Sequence, residues 1–422
     1  MKIVVIGGGW AGCAAALEAG KQGANVTLVE RTDMLLGTGL VGGIMRNNAR
    51  FTATEEMIAM GGGGIFHTVD AHLAHENIDF PGHNHACLYN VSTVEPAIRA
   101  LLMEKGVCLK MNSRITDVAM TGTRIEAVKG KTGKVAFELS GDAFIDTTGT
   151  AGGPAMCNKH GNGCAMCILR CHTFGGRVSV AAKAGIKEMI GAKPGQTGAM
   201  SGSCKLHKGS LSPELRDRLN ETGVAVVPVP KALQSSGKLA MKACQQYASK
   251  DFAENVILLN TGHAKLMTPF FPLEMLRQIP GLEAARFEDP YSGGTGNSIR
   301  FLAMSPRDDR LKVDEVDNLF CAGEKAGLLV GHTEAICTGT LAGFNAAQAS
   351  DRDRIVLSQS LVVGDAISHV RDQMTEKGRL DQKFTFSGSV LFERIRQKDL
   401  YTTDIGVIRE RVSAAGMAGI FN

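Results

Sequence analysis

An unbroken apolar run, Ile3-Val4-Val5-Ile6, gives way at once to Gly7-Gly8-Gly9-Trp10-Ala11-Gly12 and then to small residues as far as Gly20. An apolar run without polar alternation that ends in glycine predicts a strand buried on both faces, and the small residues beyond it predict a close-packed helix. A second apolar run, Val26-Thr27-Leu28-Val29, ends at Glu30. Short alternating runs at 107–111 and 114–118 lead to Ala143-Phe144-Ile145-Asp146-Thr147-Thr148-Gly149, which reads as a strand, a β-meander and a return strand ending in glycine. Near the other end, Asn318-Leu319-Phe320-Cys321-Ala322 is a strand closing on Gly323 and Glu324, and Gly331-His332-Thr333-Glu334 precedes a helix of small residues over 335–347. Ser212-Pro213-Glu214 starts a predicted helix over 212–221, and helices are expected at 367–377 and 390–397.

The glycine spacing carries specific chemistry. Gly7 permits a tight turn from strand to helix, Gly9 lets a pyrophosphate approach the backbone, and Gly12 lets the helix sit close to the sheet. Glu30, about 20 residues on, is placed to take ribose hydroxyls, with Arg31 beside it. The motif serves FAD and NAD alike, and three later segments favour FAD. The return strand brings Gly149 back to the nucleotide, with Ile115 of the meander nearby. Gly323 and Glu324 place a carboxylate for the ribityl hydroxyls. The helix that starts near Thr333 aims its amides at negative charge on a reduced flavin. The glycine-rich loop at 35–43, with Gly37 and Thr38, would pass near the isoalloxazine.

These elements predict an α/β fold: a Rossmann-like FAD-binding domain with a parallel sheet and a β-meander, an inserted α+β substrate or cap domain, and a helical C-terminal segment. The boundaries expected are 1–152 with 300–350, then 153–299, then 351–422. With 422 residues, 44% of them hydrophobic, the chain can bury a large core. A second Gly-x-Gly-x-x-Gly after a strand is missing, which argues against a separate NAD(P)H domain. A first strand starting at residue 3 leaves no room for a signal peptide, and no apolar stretch reaches membrane-spanning length, so a cytoplasmic protein is expected. The formal charge of +4 is spread along the chain and makes nucleic acid an unlikely partner. A homo-oligomer is expected.

Ile279-Pro280-Gly281-Leu282-Glu283-Ala284-Ala285-Arg286-Phe287, Leu319-Phe320-Cys321-Ala322-Gly323-Glu324 and Thr340-Leu341-Ala342-Gly343-Phe344-Asn345-Ala346-Ala347 together resemble the GidA/TrmFO-type FAD proteins and the wider FAD-dependent oxidoreductase group around them. The resemblance covers residues 1–50, 105–150 and 275–350, and implies a flavin site assembled from both ends of the chain. It also departs from the pattern. Glu324 stands where the tRNA-modifying members usually carry Gln, and 153–270 has no counterpart. The tail 351–422 holds 11 basic and 10 acidic side chains, too balanced for concentrated phosphate binding.

Cys157, Cys164, Cys167 and Cys171 lie within fifteen residues of the chain and form a candidate ligand set for an iron–sulfur cluster, or less readily for zinc. Ordinary buried thiols, or a redox dithiol from Cys164 and Cys167, are the alternatives. For the substrate, Arg46, Arg300, His332 and Glu334 are the candidates: cations to anchor a carboxylate, and acid or base groups beside the flavin-facing helix. The reading is oxidation of a small polar molecule, an amino acid or amine, by hydride transfer to flavin N5. Two alternatives stand beside it: a tRNA-modifying flavoenzyme, and an electron-transfer subunit with a protein acceptor.

Overall fold

The computed structural model describes residues 1–149, 170–193, 196–197, 199–201, 204–234, 245–267, 272–288, 298–300, 302–375 and 380–422. A five-stranded parallel sheet runs in the order Leu319–Cys321, Ala143–Asp146, Lys2–Ile6, Asn25–Val29, Cys108–Lys110. The first strand is central, pairing Ile3 with both Ala143 and Val26. Its apolar residues are buried, as expected for a strand covered on both faces. The meander is present as the antiparallel strands Ser113–Thr121, Arg124–Thr132 and Val135–Ser140.

The helix Trp10–Lys21 lies against the helix His332–Ala346. Their approach is backbone to backbone. A methyl group on Gly339 would stand 2.3 Å from the Ala11 carbonyl oxygen, and one on Gly343 would stand 2.3 Å from that of Ala15. The N- and C-terminal portions of the chain therefore form one structure around the sheet.

A second body has its own core. The antiparallel strands Cys204–Leu206, Ala264–Leu266, Asn255–Asn260 and Val224–Pro228 form a sheet, with the helix Pro213–Thr222 beside it. Leu206, Leu219, Leu258 and Leu276 are buried together there. A third small sheet, Ile44–Met45, His83–Tyr89 and Leu73–Phe80, shares a cluster with this body through Ile44, Leu88, Phe252 and Leu259. A segment from the first hundred residues thus reaches across to the inserted region.

The expected tail helices occur at Val362–Thr375 and Ser389–Gln397, and a further one, Ile405–Ala414, follows. Their apolar faces join the main core through Val363, Leu391 and Ile408. The first begins before the sequence predicts because its cap is tertiary: the buried Glu56 carboxylate accepts the Val362 and Val363 N–H groups at 2.9 and 3.1 Å. Among the described residues, no helix is long and apolar enough to cross a membrane.

Candidate functional site

A cleft of about 270 Å³ opens at the carboxyl ends of the parallel strands and begins at the glycine turn. Gly7 has φ of +105°, and a methyl group there would lie 2.6 Å from the Thr147 carbonyl oxygen. On Gly12 it would lie 1.8 Å from the Gly7 carbonyl oxygen. On Gly9 it would meet no atom within 4 Å, because Gly9 faces the open cleft. Two of the three glycines thus serve the turn itself, and the middle one serves whatever occupies the space.

Glu30 lines the same end. Its carboxylate accepts the Gly8 N–H at 2.7 Å and the Thr32 N–H at 2.8 Å, which holds it rigidly at the turn with acceptor capacity left for a hydroxyl. Arg31, Ile115 and Gly149 line this end too, and Arg31 donates to the Gly175 carbonyl at 2.8 Å. Gly37 and Thr38, then Leu40 to Gly42, carry the wall away from Gly9. Gly323 and Glu324 line the cleft beside them, and the Gly323 N–H donates to Thr338 Oγ1 at 2.9 Å. The open space over Gly9, a fixed carboxylate just past the end of the neighbouring strand, and a helix start at Trp10 fit the adenosine diphosphate half of FAD.

The far end is built by four elements. His332, at the start of its helix, packs so closely on the loop that a methyl group on Gly42 would overlap its ring. Its Nδ1 lies 3.4 Å from the Tyr89 hydroxyl, which donates to the Gly39 carbonyl at 2.7 Å. Burial pushes the Tyr89 phenol well above its usual range, so it stays a neutral donor. Lys265, buried on its strand of the inserted sheet, donates to the Val41 carbonyl and lines the cleft. Arg50 reaches the cleft from the helix Ala49–Ala59 and is only 4% exposed.

Two of the four candidate substrate residues are structural instead. Arg46 lies outside the cleft, where its guanidinium contacts Glu55 at 2.5 Å and Asp70 at 2.7 Å. Glu334 is fully buried, accepting from Arg50 Nε at 3.1 Å, Thr385 Oγ1 at 2.7 Å and the Phe386 N–H at 2.9 Å. A carboxylate so saturated is an anchor rather than an acid or base, and what it anchors is Arg50. Thr333, expected to touch cofactor, is one layer behind the cleft wall, buried with its hydroxyl toward Met45 Sδ; Gly12 lies directly under Gly7, where the close packing of helix and turn needs it. Arg300 ends the strand Ser298–Arg300, and its side chain lies outside the described part. Cys157, Cys164 and Cys167 also lie outside the described residues; Cys171, half-buried, opens the short helix Cys171–Phe174. Among the described residues, no group of three or more His, Cys, Asp or Glu side chains could hold a metal ion.

Arg50, Lys265 and Tyr247 were missed by sequence reasoning. Arg50 sits four residues past Arg46, but its partner Glu334 is 284 positions away, so no local spacing marks it. Lys265 carries a faint signal, a lone cation between the apolar residues of a short strand.

A family model described as FAD dependent oxidoreductase matches residues 2–155, and one described as glucose inhibited division protein A matches 254–354. GidA from Aquifex aeolicus in its form II crystal is similar in fold, with a TM-score of 0.65 at 15% identity over 98% of this chain and 76% of that one. Its form I crystal gives 0.58 at 14% identity, over 98% and 78%. A geranylgeranyl bacteriochlorophyll reductase-like protein from Thermoplasma acidophilum gives 0.50 at 11% identity, over 98% of each chain. At such identities the solved structures speak for the fold alone, and the two sequence models bracket the glycine turn at one end of the site and His332 at the other. By these matches the protein is an FAD-dependent oxidoreductase, similar to GidA in fold and over 254–354 in sequence.

Proposed function

We propose that the protein oxidises a small carboxylate-bearing substrate, most simply an amino acid or related amine, at the end of the cleft away from Glu30. The observation that carries this reading is the convergence of two buried cations, Arg50 and Lys265, beside His332. Buried cations that reach a cleft recognise anions, and a guanidinium suits a carboxylate with two oxygens. Bound FAD supplies a two-electron acceptor for a hydride.

The protein's own groups do the rest. Glu334 holds the Arg50 guanidinium, with Asn47 Oδ1 at 3.1 Å from its Nη1 and Thr385 Oγ1 at 3.1 Å from its Nη2. Lys265, fastened to the Val41 carbonyl, fixes the second cation relative to the loop. With the Tyr89 hydroxyl proton committed to Gly39, its oxygen faces His332 Nδ1 at 3.4 Å as an acceptor, which orients the imidazole and makes Nε2 the nitrogen directed away from Tyr89. That nitrogen is suited to take a proton from a substrate ammonium or hydroxyl as the adjacent carbon is oxidised.

Anaerobic titration with amino acids and amines tests this. Loss of the flavin absorbance at about 450 nm is expected with one class of them, and Lys265→Met is expected to raise KM about tenfold or more while kcat changes less. Unchanged flavin throughout the panel would overturn the reading. The second reading, tRNA modification, is the activity that the resemblance to GidA/TrmFO implies, and the glucose inhibited division protein A match over 254–354 favours it. It requires salt-sensitive tRNA binding, against a formal charge of only +4.

A further inference from the structure

The segment 170–181 follows the candidate cysteines in sequence and returns to the parallel sheet at the Glu30 end of the cleft. It is tied down along its whole length. Arg170 Nη2 contacts Asp33 Oδ1 at 2.5 Å, and its guanidinium lies over the Phe174 ring. Arg31 donates to the Gly175 carbonyl at 2.8 Å, and Arg114 Nε donates to that of Gly176 at 2.8 Å. The Val180 and Ala181 N–H groups donate to Asp146 Oδ2 at 2.9 and 3.0 Å. Asp146 belongs to the strand paired with the first one, so the segment is fastened to the floor of the nucleotide site.

Arg31, Arg114 and Arg170 hold the segment in place, and Arg177 reaches the glycine turn. A methyl group on Gly149 would stand 2.7 Å from its Nη1, and Gly149 follows the Thr147 and Thr148 backbone against which Gly7 is pressed. The guanidinium therefore lies at the rim of the glycine turn, and both Arg177 and Gly149 line the cleft with Gly7 and Gly9. The helix start contributes N–H groups to a pyrophosphate from one side, and a cation at this rim faces it from another.

We propose that the segment 170–181 is a strap closed over the adenosine diphosphate half of FAD, and that Arg177 is its cofactor-binding residue, paired with the pyrophosphate. This does not depend on which substrate the far end takes. It makes cofactor retention a property of the inserted region as well as of the glycine turn. Asp146 and Asp33 act as positioning residues, since they hold the strap and not the ligand.

FAD release from the purified holoprotein, and rebinding of FAD and of riboflavin to the stripped protein, would be followed by flavin fluorescence. Riboflavin has the ring and ribityl chain but no phosphate, so it reports the rest of the site. Arg177→Ala is expected to weaken FAD about ten- to hundredfold, to leave riboflavin unchanged, and to flatten the dependence of FAD binding on salt. Arg177→Lys should fall between. Should Arg177→Ala not be obtained folded, Arg177→Gln carries the same comparison. FAD held as tightly as in the wild type, or FAD and riboflavin weakened alike, would overturn the proposal.

Discussion

Replacing Glu334 with Gln changes one atom type at the centre of the site. The carbonyl oxygen of the new amide would keep the bonds from Thr385 Oγ1 and the Phe386 N–H, now 2.7 and 2.9 Å from Glu334 Oε1. That oxygen would still accept from Arg50 Nε, which lies 3.1 Å from both carboxylate oxygens, but the new NH2 would crowd the same N–H, and the guanidinium would lose this countercharge while remaining buried. Removing one partner of a buried pair typically destabilises by about 3–5 kcal/mol, a large share of total stability. Arg50→Met should be similarly harmful, because it strands the carboxylate and also breaks the bonds to Asn47 and Thr385. The double variant, Arg50→Met with Glu334→Gln, removes both charges and should be less destabilised than the two losses summed, by about 2 kcal/mol or more. Urea unfolding by far-UV circular dichroism, at one saturating FAD concentration so that cofactor linkage is equal in all four proteins, measures each corner of the cycle. Losses that add to within about 0.5 kcal/mol would refute the claim that these two residues act as a pair.

Three other substitutions separate turn from cofactor and burial from charge. Gly9→Ala should leave the stripped protein as stable as the wild type while abolishing tight FAD binding, whereas Gly12→Ala, whose methyl group would overlap the Gly7 carbonyl, should lower the melting temperature even without FAD. Thermal melts with and without FAD distinguish them. Burial pushes the Glu18 carboxyl up to about 7, so the folded state holds a proton that the unfolded chain releases at ordinary carboxylate pH. Its contribution is full at low pH and is lost as pH rises from about 4.5 to about 7. Glu18→Gln should remove that loss, gaining up to about 3 kcal/mol relative to the wild type at pH 8. Equal pH dependence of unfolding in the two proteins would count against it.

The nucleotide end was legible because its signals are local. Gly7, Gly9 and Gly12 sit within six residues, Glu30 follows the neighbouring strand, and the close backbone approaches at Gly7 and Gly12 demand glycine there. The far end was only partly legible. His332 lines the cleft at the helix start that the sequence marks, whereas Arg46, the cation named just after the glycine-rich loop, lies outside it, and Arg50, four residues on and not named, lines it. What separates them is the company they keep: Asp70 and Glu55 for Arg46, Glu334 and the cleft for Arg50. Those partners are distant in sequence, and spacing has no access to them. Glu334 misled for the same reason, since an acid at a helix start looks available until Thr385 and Phe386 arrive from the tail. The start of the helix Val362–Thr375 was misplaced because its cap is Glu56, far up the chain.

The contact of Gly339 and Gly343 with the Ala11 and Ala15 carbonyls bears on the order of events during synthesis. On the ribosome the glycine turn emerges more than 300 residues before the surface that covers its helix. Until then Trp10–Lys21 has its small-residue face toward water, and Gly323, Glu324 and His332 do not yet exist to complete the cleft. Cofactor capture is thereby deferred until residues 323–346 have been made, and nascent chains halted before residue 332 should carry no flavin. A partly made product of this gene is in that sense kept from premature redox chemistry by its own topology.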